Sequence, residues 1–208
     1  MSGFDDFLAG YNPGELEATR TVQVVGTDFS ELLRMYEKVL DGEGHASYDY
    51  VGFVRNNREV TEVLTPAEIN SFFQATNRYE DHQLYSKKTG SMLSGLIQNS
   101  YNRGYNNFFL NTKNLPRISN LGAHIIGTKD DPIHISVEGN LCNKVGFAAY
   151  YSHFLLNGAV GIFGGWEAKH CTFKTPIWET IQQLRGRVLT GYNNTLIYID
   201  QGKEVVIK

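Results

Sequence analysis

The feature that most constrains the fold of this chain is a repeat of 19 residues in its second half. Residues 135–153 (ISVEGNLCNKVGFAAYYSH) align with residues 154–172 (FLLNGAVGIFGGWEAKHCT), so that Gly139 falls on Gly158 and Gly146 on Gly165. One step of 19 residues back from Gly146 reaches Gly127. A fixed period of this kind is typical of solenoids, in which each repeat forms one row of a stack.

Small or apolar residues alternate with mostly polar ones within each row. A β-strand requires this alternation where one face is buried, because neighbouring side chains of a strand face opposite sides. Stacking the rows gives one set of columns that is small or apolar and another that is mostly polar. The columns predicted to point inward are Ile133–Ser152–Cys171, Ile135–Phe154–Phe173 and Val137–Leu156–Thr175. The columns predicted to point outward are His134–His153–Thr172 and Ser136–Leu155–Lys174. We therefore predict that residues 118–175 form successive coils of a parallel β-helix, right-handed as parallel crossovers are.

The ends of such a stack expose unpaired strand edges and need covers. Residues 175–184 (TPIWETIQQL) combine a helix-start signal with apolar residues at helical spacing, so we expect a helix that caps the C-terminal end. Residues 196–207 (LIYIDQGKEVVI) predict a closing hairpin that turns at Gln201 and Gly202. The short solenoid is thus predicted to end in a helix followed by a hairpin.

The first half of the chain mixes helical and strand patterns without a repeat. The patterned segments are a strand at 21–25, a helix at 28–40, a hairpin at 48–64, and a helical stretch at 65–100 interrupted near 77–81 and 87–90. Thr65 and Glu68 form a capping box, with Pro66 at the first helical position. We predict an α+β protein in which a mixed α/β region, residues 1–115, packs on the β-helical region, residues 116–208.

The rows VEGNLCNKVGFAA and LNGAVGIFGGWEA, with glycine at corresponding corners, resemble the glycine-patterned β-helix called the GXGXG domain. That domain occurs at the C-terminus of the large chain of glutamate synthase and in one chain of formylmethanofuran dehydrogenase. The resemblance covers residues 118–175 and implies an architectural role, with no catalytic residue carried over. The chain departs from the pattern at Gly161 and Gly164, which occur in one row, and at residues 129–132 (KDDP).

Composition and charge limit the classes of function. The chain has a net charge of −3 and 41% hydrophobic residues, which fits a globular protein and disfavours broad binding to nucleic-acid backbones. No apolar run approaches the roughly 18–20 residues of a membrane-spanning helix. The acidic start lacks the pattern of a signal peptide, and Cys142 and Cys171 are too few for a disulfide framework. We therefore expect a cytoplasmic protein that does not enter membranes.

Histidines supply the sharpest candidate chemistry. If the period holds, His134 and His153 lie one strand spacing apart, about 4.8 Å, and could share a metal ion with His170 nearby. The alternative, which we favour, is a pair of surface histidines in a polar column, because no carboxylate completes the site. Cys171 is predicted to point inward as a small core residue rather than act as a nucleophile.

Three further segments invite a functional interpretation. Asp130, Asp131 and Glu138 could act as paired carboxylates, although an Asp-Asp-Pro surface turn is the favoured interpretation. The glycine-rich residues 161–165 lack the spacing of a phosphate-binding loop and are interpreted as a coil corner. The Asn-rich stretch 99–120 indicates an irregular connector or the start of a coiled sheet. Its aromatic residues could stack bases or sugars but are expected to pack against the first coil, and they are Tyr101, Tyr105, Phe108 and Phe109.

These observations favour a non-catalytic structural or interaction module, or an accessory subunit, without a cofactor. A protein partner or homo-oligomer is expected, because a stackable solenoid offers surfaces and no complete catalytic set is visible. Two alternatives stay open. One is a small metal-dependent or hydrolytic enzyme that uses the histidine column. The other is a carbohydrate- or nucleic-acid-binding protein that uses residues 101–109, in which aromatic residues interleave with asparagines and which we call the Tyr/Asn strip.

Overall fold

The computed structural model describes residues 28–41 and 63–207. In these residues the chain forms an α+β fold of four α-helices and one open, mostly parallel sheet of six strands. The elements in chain order are α1 (Ser30–Asp41), α2 (Pro66–Ala75), a 3-10 helix (Thr76–Tyr79), α3 (Tyr85–Tyr101), β1 (Asn107–Asn111), β2 (Ile133–Glu138), β3 (Ser152–Asn157), β4 (Thr172–Thr175), α4 (Trp178–Val188), β5 (Thr195–Asp200) and β6 (Lys203–Ile207). The predicted strand at 21–25 and most of the predicted hairpin at 48–64 lie outside the described residues.

The helices of the first half follow their local signals. Thr65 Oγ1 accepts a hydrogen bond from the Glu68 N–H, and Glu68 Oε2 accepts one from the Thr65 N–H, so the predicted capping box is confirmed. The interruption predicted near 87–90 is wrong, because those residues lie inside α3. Gly90 is buried there and allows α3 to approach the backbone of the loop at Ser119.

The sheet has the strand order β1-β2-β3-β4-β5-β6, with β1 to β5 parallel and β6 antiparallel to β5. The predicted strand pairings are present: Ile135 lies opposite Phe154, and Phe154 lies opposite Phe173. The rings of Phe154 and Phe173 stack with centroids 4.8 Å apart and an interplanar angle of 7°. The predicted closing hairpin is also confirmed as β5 and β6.

The columns predicted to point outward are paired as expected but are not on the surface. Most side chains of this face are buried, with exposed fractions of 9% for His134, 5% for Ser136 and 5% for Lys174, whereas His153 and Thr172 are half-buried. Contacts within the sheet compensate part of the polarity of this face. The Lys174 ammonium forms an ion pair with Glu204 of β6, and the imidazoles of His134 and His153 contact each other.

The connections between strands are hydrogen-bonded to one another through residues of left-handed backbone conformation. Asn120, Lys144 and Phe163 have φ of 66°, 62° and 64°. The N–H of Asn120 donates to the carbonyl oxygen of Asn143, and that of Lys144 donates to the carbonyl oxygen of Ile162. Each connection therefore pairs its backbone with the next, which satisfies groups that a loop would otherwise leave to water.

The prediction that Gly127 occupies the position equivalent to Gly146 in the preceding row is wrong. Gly122 takes that place, since it has φ of 68° against 62° at Gly146, and the Gly146 N–H donates to the carbonyl oxygen of Leu121. The two glycines are 24 residues apart because residues 128–132 form an extra turn before β2. The constant period therefore holds only across β2, β3 and β4.

The prediction that the helix after residue 175 caps the C-terminal end of the sheet is wrong, because α4 does not end the sheet. Helix α4 lies in the connection between β4 and β5, and β5 continues the sheet in parallel. The helix starts at Trp178, three residues after Thr175, because Thr175 belongs to β4 and Ile177 is extended. Its buried residue Val188 packs so closely on Gly165 that an added Cβ there would lie 2.5 Å from Val188 Cγ2.

The hydrophobic core is continuous from Leu32 in α1 to Leu196 in β5. The predicted boundary near residue 115 falls between β1 and β2, which pair with each other, so the sheet crosses it. No helix in the described part of the chain has the length and apolar character needed to cross a bilayer.

Candidate functional site

The two histidines predicted to share a metal ion lie on β2 and β3. His134 and His153 lie directly opposite each other, with ring centroids 4.8 Å apart at 90°. Burial lowers the pKa of both imidazoles, and it lowers that of His153 to about 4, helped by the neighbouring His134 and Lys174. Both rings are therefore neutral at pH 7.

His170 does not join this pair. Its ring stacks on that of Tyr151, with centroids 4.7 Å apart and an interplanar angle of 8°, and both residues have left-handed backbone conformations. Among residues 28–41 and 63–207, no three histidine, cysteine or acidic side chains are grouped closely enough to hold a metal ion. The structure thus brings together two of the three predicted metal ligands, and metal binding stays a prediction.

The buried histidines should make the protein sensitive to acid. His153 binds its proton at a pH near 4 in the folded protein and near 6.5 in the unfolded chain, so unfolding takes up a proton between these values. We expect the free energy of unfolding to fall by roughly 3 kcal/mol from this residue as the pH drops from about 7.5 to 4. Urea unfolding at several pH values measures the effect.

The matched variant for this measurement is His153→Thr, which copies the residue that follows in the same column at Thr172. Carboxylates also titrate in this range, so the informative quantity is the difference in pH dependence between the two proteins. Equal losses of stability on acidification in the wild type and the variant would contradict a buried neutral imidazole.

The remaining candidates from the sequence have structural partners. Cys171 is buried, its Sγ donates to the carbonyl oxygens of Ala149 and Lys169, and burial raises its pKa to about 11. It is therefore a protonated core thiol at neutral pH, as expected. Glu138 pairs with Lys113 at 3.0 Å at the far end of β2 from Asp131, so these carboxylates do not form an acid–base pair.

The Tyr/Asn strip holds the extra turn before β2. The Tyr101 hydroxyl donates to the Asp131 carbonyl oxygen at 2.7 Å, and Asn106 Nδ2 donates to Asp131 Oδ1 at 2.5 Å. Phe108 is buried in the core, whereas Tyr105 is 39% exposed. This arrangement agrees with the packing interpretation for most of the strip.

A surface groove of about 400 Å³, which the sequence does not indicate, lies between the turns that precede β3 and β4, the end of α4 and the loop that follows α4. We call it the aromatic groove, and its walls include Tyr150, Trp166, Lys169, Arg187 and Tyr192. Lys169 Nζ lies 5.2 Å from the ring centroid of Tyr150 and 5.0 Å from that of Tyr192. Arg187 Cζ lies 5.5 Å from the ring centroid of Trp166. Each cation is thus held against aromatic rings.

The two edges of the sheet differ. Along β1, the side chains of α2 cover the edge: Gln74 Nε2 donates to the Asn111 carbonyl oxygen at 2.8 Å, and Asn70 Oδ1 accepts from the Asn111 N–H at 3.0 Å. Along β6, residues 203–206 are all exposed, with exposed fractions of 45% at Val205 and 57% at Val206. An exposed edge strand is a template for pairing with another strand.

The hairpin geometry tells which backbone groups of β6 are available. Asp200 and Lys203 flank the two-residue turn and form a hydrogen-bonded pair, so Tyr198 and Val205 form the next one. The N–H and C=O groups of Glu204 and Val206 therefore point away from β5. We call residues 203–207, with these outward groups, the β6 edge.

An aromatic pair lies beside the β6 edge. Trp178 at the start of α4 is 46% exposed, and its ring meets that of Tyr198 edge to face with centroids 5.2 Å apart. Val205 lies opposite Tyr198 and on the same face of the sheet. The edge thus combines outward backbone groups with an exposed apolar surface, as protein interfaces commonly do.

No known protein family, curated protein or solved structure matches this chain.

Proposed function

We propose that this protein is a non-catalytic interaction module, built on a short parallel β-helix, that pairs with a second copy of itself through the β6 edge. The observation that carries the proposal is the exposure of residues 203–206 along a strand whose outward backbone groups can pair with another strand. The covered β1 edge makes β6 the side on which the sheet can grow.

Several contacts support the β-helix in this proposal. The strands β2, β3 and β4 are in register at the repeat distance, and the residues Ile126, Tyr150, Lys169 and Tyr192 form a second parallel ladder across the turns. Rows of the GXGXG kind, which the sequence resembles, would supply a rigid framework of this sort. Both cysteines are free thiols, which is consistent with the proposed cytoplasmic location.

A two-fold axis through Val205 gives the best register for pairing. Two antiparallel β6 strands then place Glu204 of each copy opposite Val206 of the other, and these residues carry the outward N–H and C=O groups. Pairing around Glu204 would instead bring two carboxylates face to face, which is destabilising. The small area of such a contact predicts a reversible dimer rather than an obligate one.

The molar mass in solution tests this proposal. We expect the wild type to rise from 23.4 kDa toward twice that value as concentration increases in sedimentation equilibrium. Val205→Lys should keep the protein monomeric, because the two-fold axis at this residue would bring two lysines directly opposite each other. Val206→Pro should act in the same way, since it removes an outward N–H and leaves the β5–β6 ladder intact.

The matched control is Ile162→Lys, which adds the same charge at a position of similar exposure, 52%, away from the β6 edge. This variant should dimerise like the wild type. A wild-type protein that stays at 23.4 kDa at every concentration contradicts the proposal, as does an equal loss of association in the Ile162→Lys variant.

A further inference from the structure

We propose that the aromatic groove binds an acidic saccharide, with its carboxylate held by Arg187 and Lys169. The groove is lined by the turns around Tyr150 and Trp166 and by the end of α4, and none of the β6 edge belongs to its walls. The inference therefore goes beyond the proposed dimer and is tested independently of it.

Two cationic side chains of the groove lie against aromatic rings. Lys169 lies between the rings of Tyr150 and Tyr192, and Arg187 lies over the rings of Phe163 and Trp166. Neither forms an ion pair with a carboxylate in the part of the chain that the structure describes. A guanidinium beside aromatic rings can still bind a carboxylate through two parallel N–H donors.

Two aromatic rings of the groove are exposed to solvent. Tyr192 is 70% exposed and Trp166 is 37% exposed, although large aromatic side chains are usually covered. Both rings border the groove and present flat apolar surfaces next to the cations. A ligand that fits must therefore have an apolar face as well as an anionic group, and the C–H face of a sugar ring meets both needs.

Two polar side chains of the groove favour a sugar acid over a phosphate-rich ligand. Glu167 and Thr190 also line the groove, and both side chains are exposed. A carboxylate and a hydroxyl accept hydrogen bonds from sugar hydroxyls, whereas Glu167 would repel the successive charges of a nucleic-acid backbone.

Isothermal titration calorimetry with a hyaluronan tetrasaccharide tests the inference, with chitotetraose as the neutral oligosaccharide and AMP as the nucleotide. We expect saturable binding of the acidic tetrasaccharide and at least about tenfold weaker binding of chitotetraose, because only the former offers a carboxylate to Arg187. Arg187→Ala should weaken binding of the acidic tetrasaccharide by about tenfold or more. The affinity of Arg187→Lys for this tetrasaccharide should lie between those of the wild type and Arg187→Ala, since the lysine keeps the charge but not the paired donors.

Lys203→Ala is the matched control, because Lys203 is an exposed cation on β6 outside the groove. Its affinity should equal that of the wild type. The proposal is overturned if the tetrasaccharide does not bind, if chitotetraose binds as tightly, if AMP binds more tightly, or if Arg187→Ala leaves the affinity unchanged. Val205→Lys should bind the tetrasaccharide normally, so a failure here is distinguishable from a failure of the proposed dimer.

Discussion

Replacing Gly90 with alanine should destabilise the protein by about 2–3 kcal/mol, although the same replacement in most helices is favourable. Gly90 lies where α3 packs on the loop that leads into the sheet, and an added Cβ would lie 1.9 Å from the carbonyl oxygen of Ser119. Ser86 and Ser94 hold the two backbones together there by donating to the carbonyl oxygens of Arg117 and Asn120. Neither side can move without breaking these hydrogen bonds. Urea unfolding measures the loss.

Gly95→Ala is the control on the same helix. Nothing lies within 4 Å of a Cβ added at Gly95, so only the helix propensity changes. We expect this variant to be more stable than the wild type by roughly 0.5–1 kcal/mol. A shift of stability in the same direction in both alanine variants would contradict close packing of α3 on the loop at Gly90.

Phe154→Ala should have the largest effect on stability, a loss of about 3–5 kcal/mol. The ring is fully buried and stacks on Phe173 from the next row. It also fills the space that Gly122 and Gly146 leave open, since an added Cβ at either glycine would come within 3.0 Å of the ring. Removing it therefore opens a cavity that touches several rows at once. We expect the Tm to fall by roughly 6–20 °C in a calorimetric scan.

Tyr192→Ala provides the comparison, because Tyr192 is an aromatic residue that is 70% exposed. Its loss should change the free energy of unfolding by no more than about 0.5 kcal/mol. A similar Tm for the two variants would contradict the placement of Phe154 in the hydrophobic core beside Phe173.

The sequence predicts the fold best where the repeat distance is constant. Between β2 and β4 every row has the same length, so the 19-residue period alone assigns His134 opposite His153 and Ile135 opposite Phe154. The prediction fails on either side for a physical reason. The extra turn at residues 128–132 hides the correspondence between Gly122 and Gly146, and α4 lengthens the row between β4 and β5.

The same interruption explains why the sequence does not reveal the aromatic groove. Tyr150 and Lys169 are one repeat apart, so the period alone places them together. Tyr192, which completes the ladder, follows α4 and lies off the period. Three-dimensional packing alone brings Arg187 over Trp166, because the two residues belong to different elements.

Candidate chemistry was harder to predict than strand pairing. Alternation identifies the face of a strand but not whether that face is covered, so the sequence predicts the polar columns on the surface, whereas they are mostly buried. The sequence also predicts His170 near His153, yet the left-handed backbone of His170 places its ring on that of Tyr151. The exposure of the β6 edge likewise depends on what the rest of the chain covers, which a strand pattern does not contain.

Disulfide cross-linking at Val205 tests the proposed dimer most directly. In a Cys142→Ser background, Val205→Cys places one thiol from each copy at the two-fold axis, in a pair whose Cα atoms are about 4.5 Å apart, within the range that a disulfide spans. We predict that mild oxidation converts most of this variant to a covalent dimer, while Ile162→Cys in the same background stays monomeric. Equal cross-linking of the two variants, or none at Val205→Cys, would contradict pairing through the β6 edge.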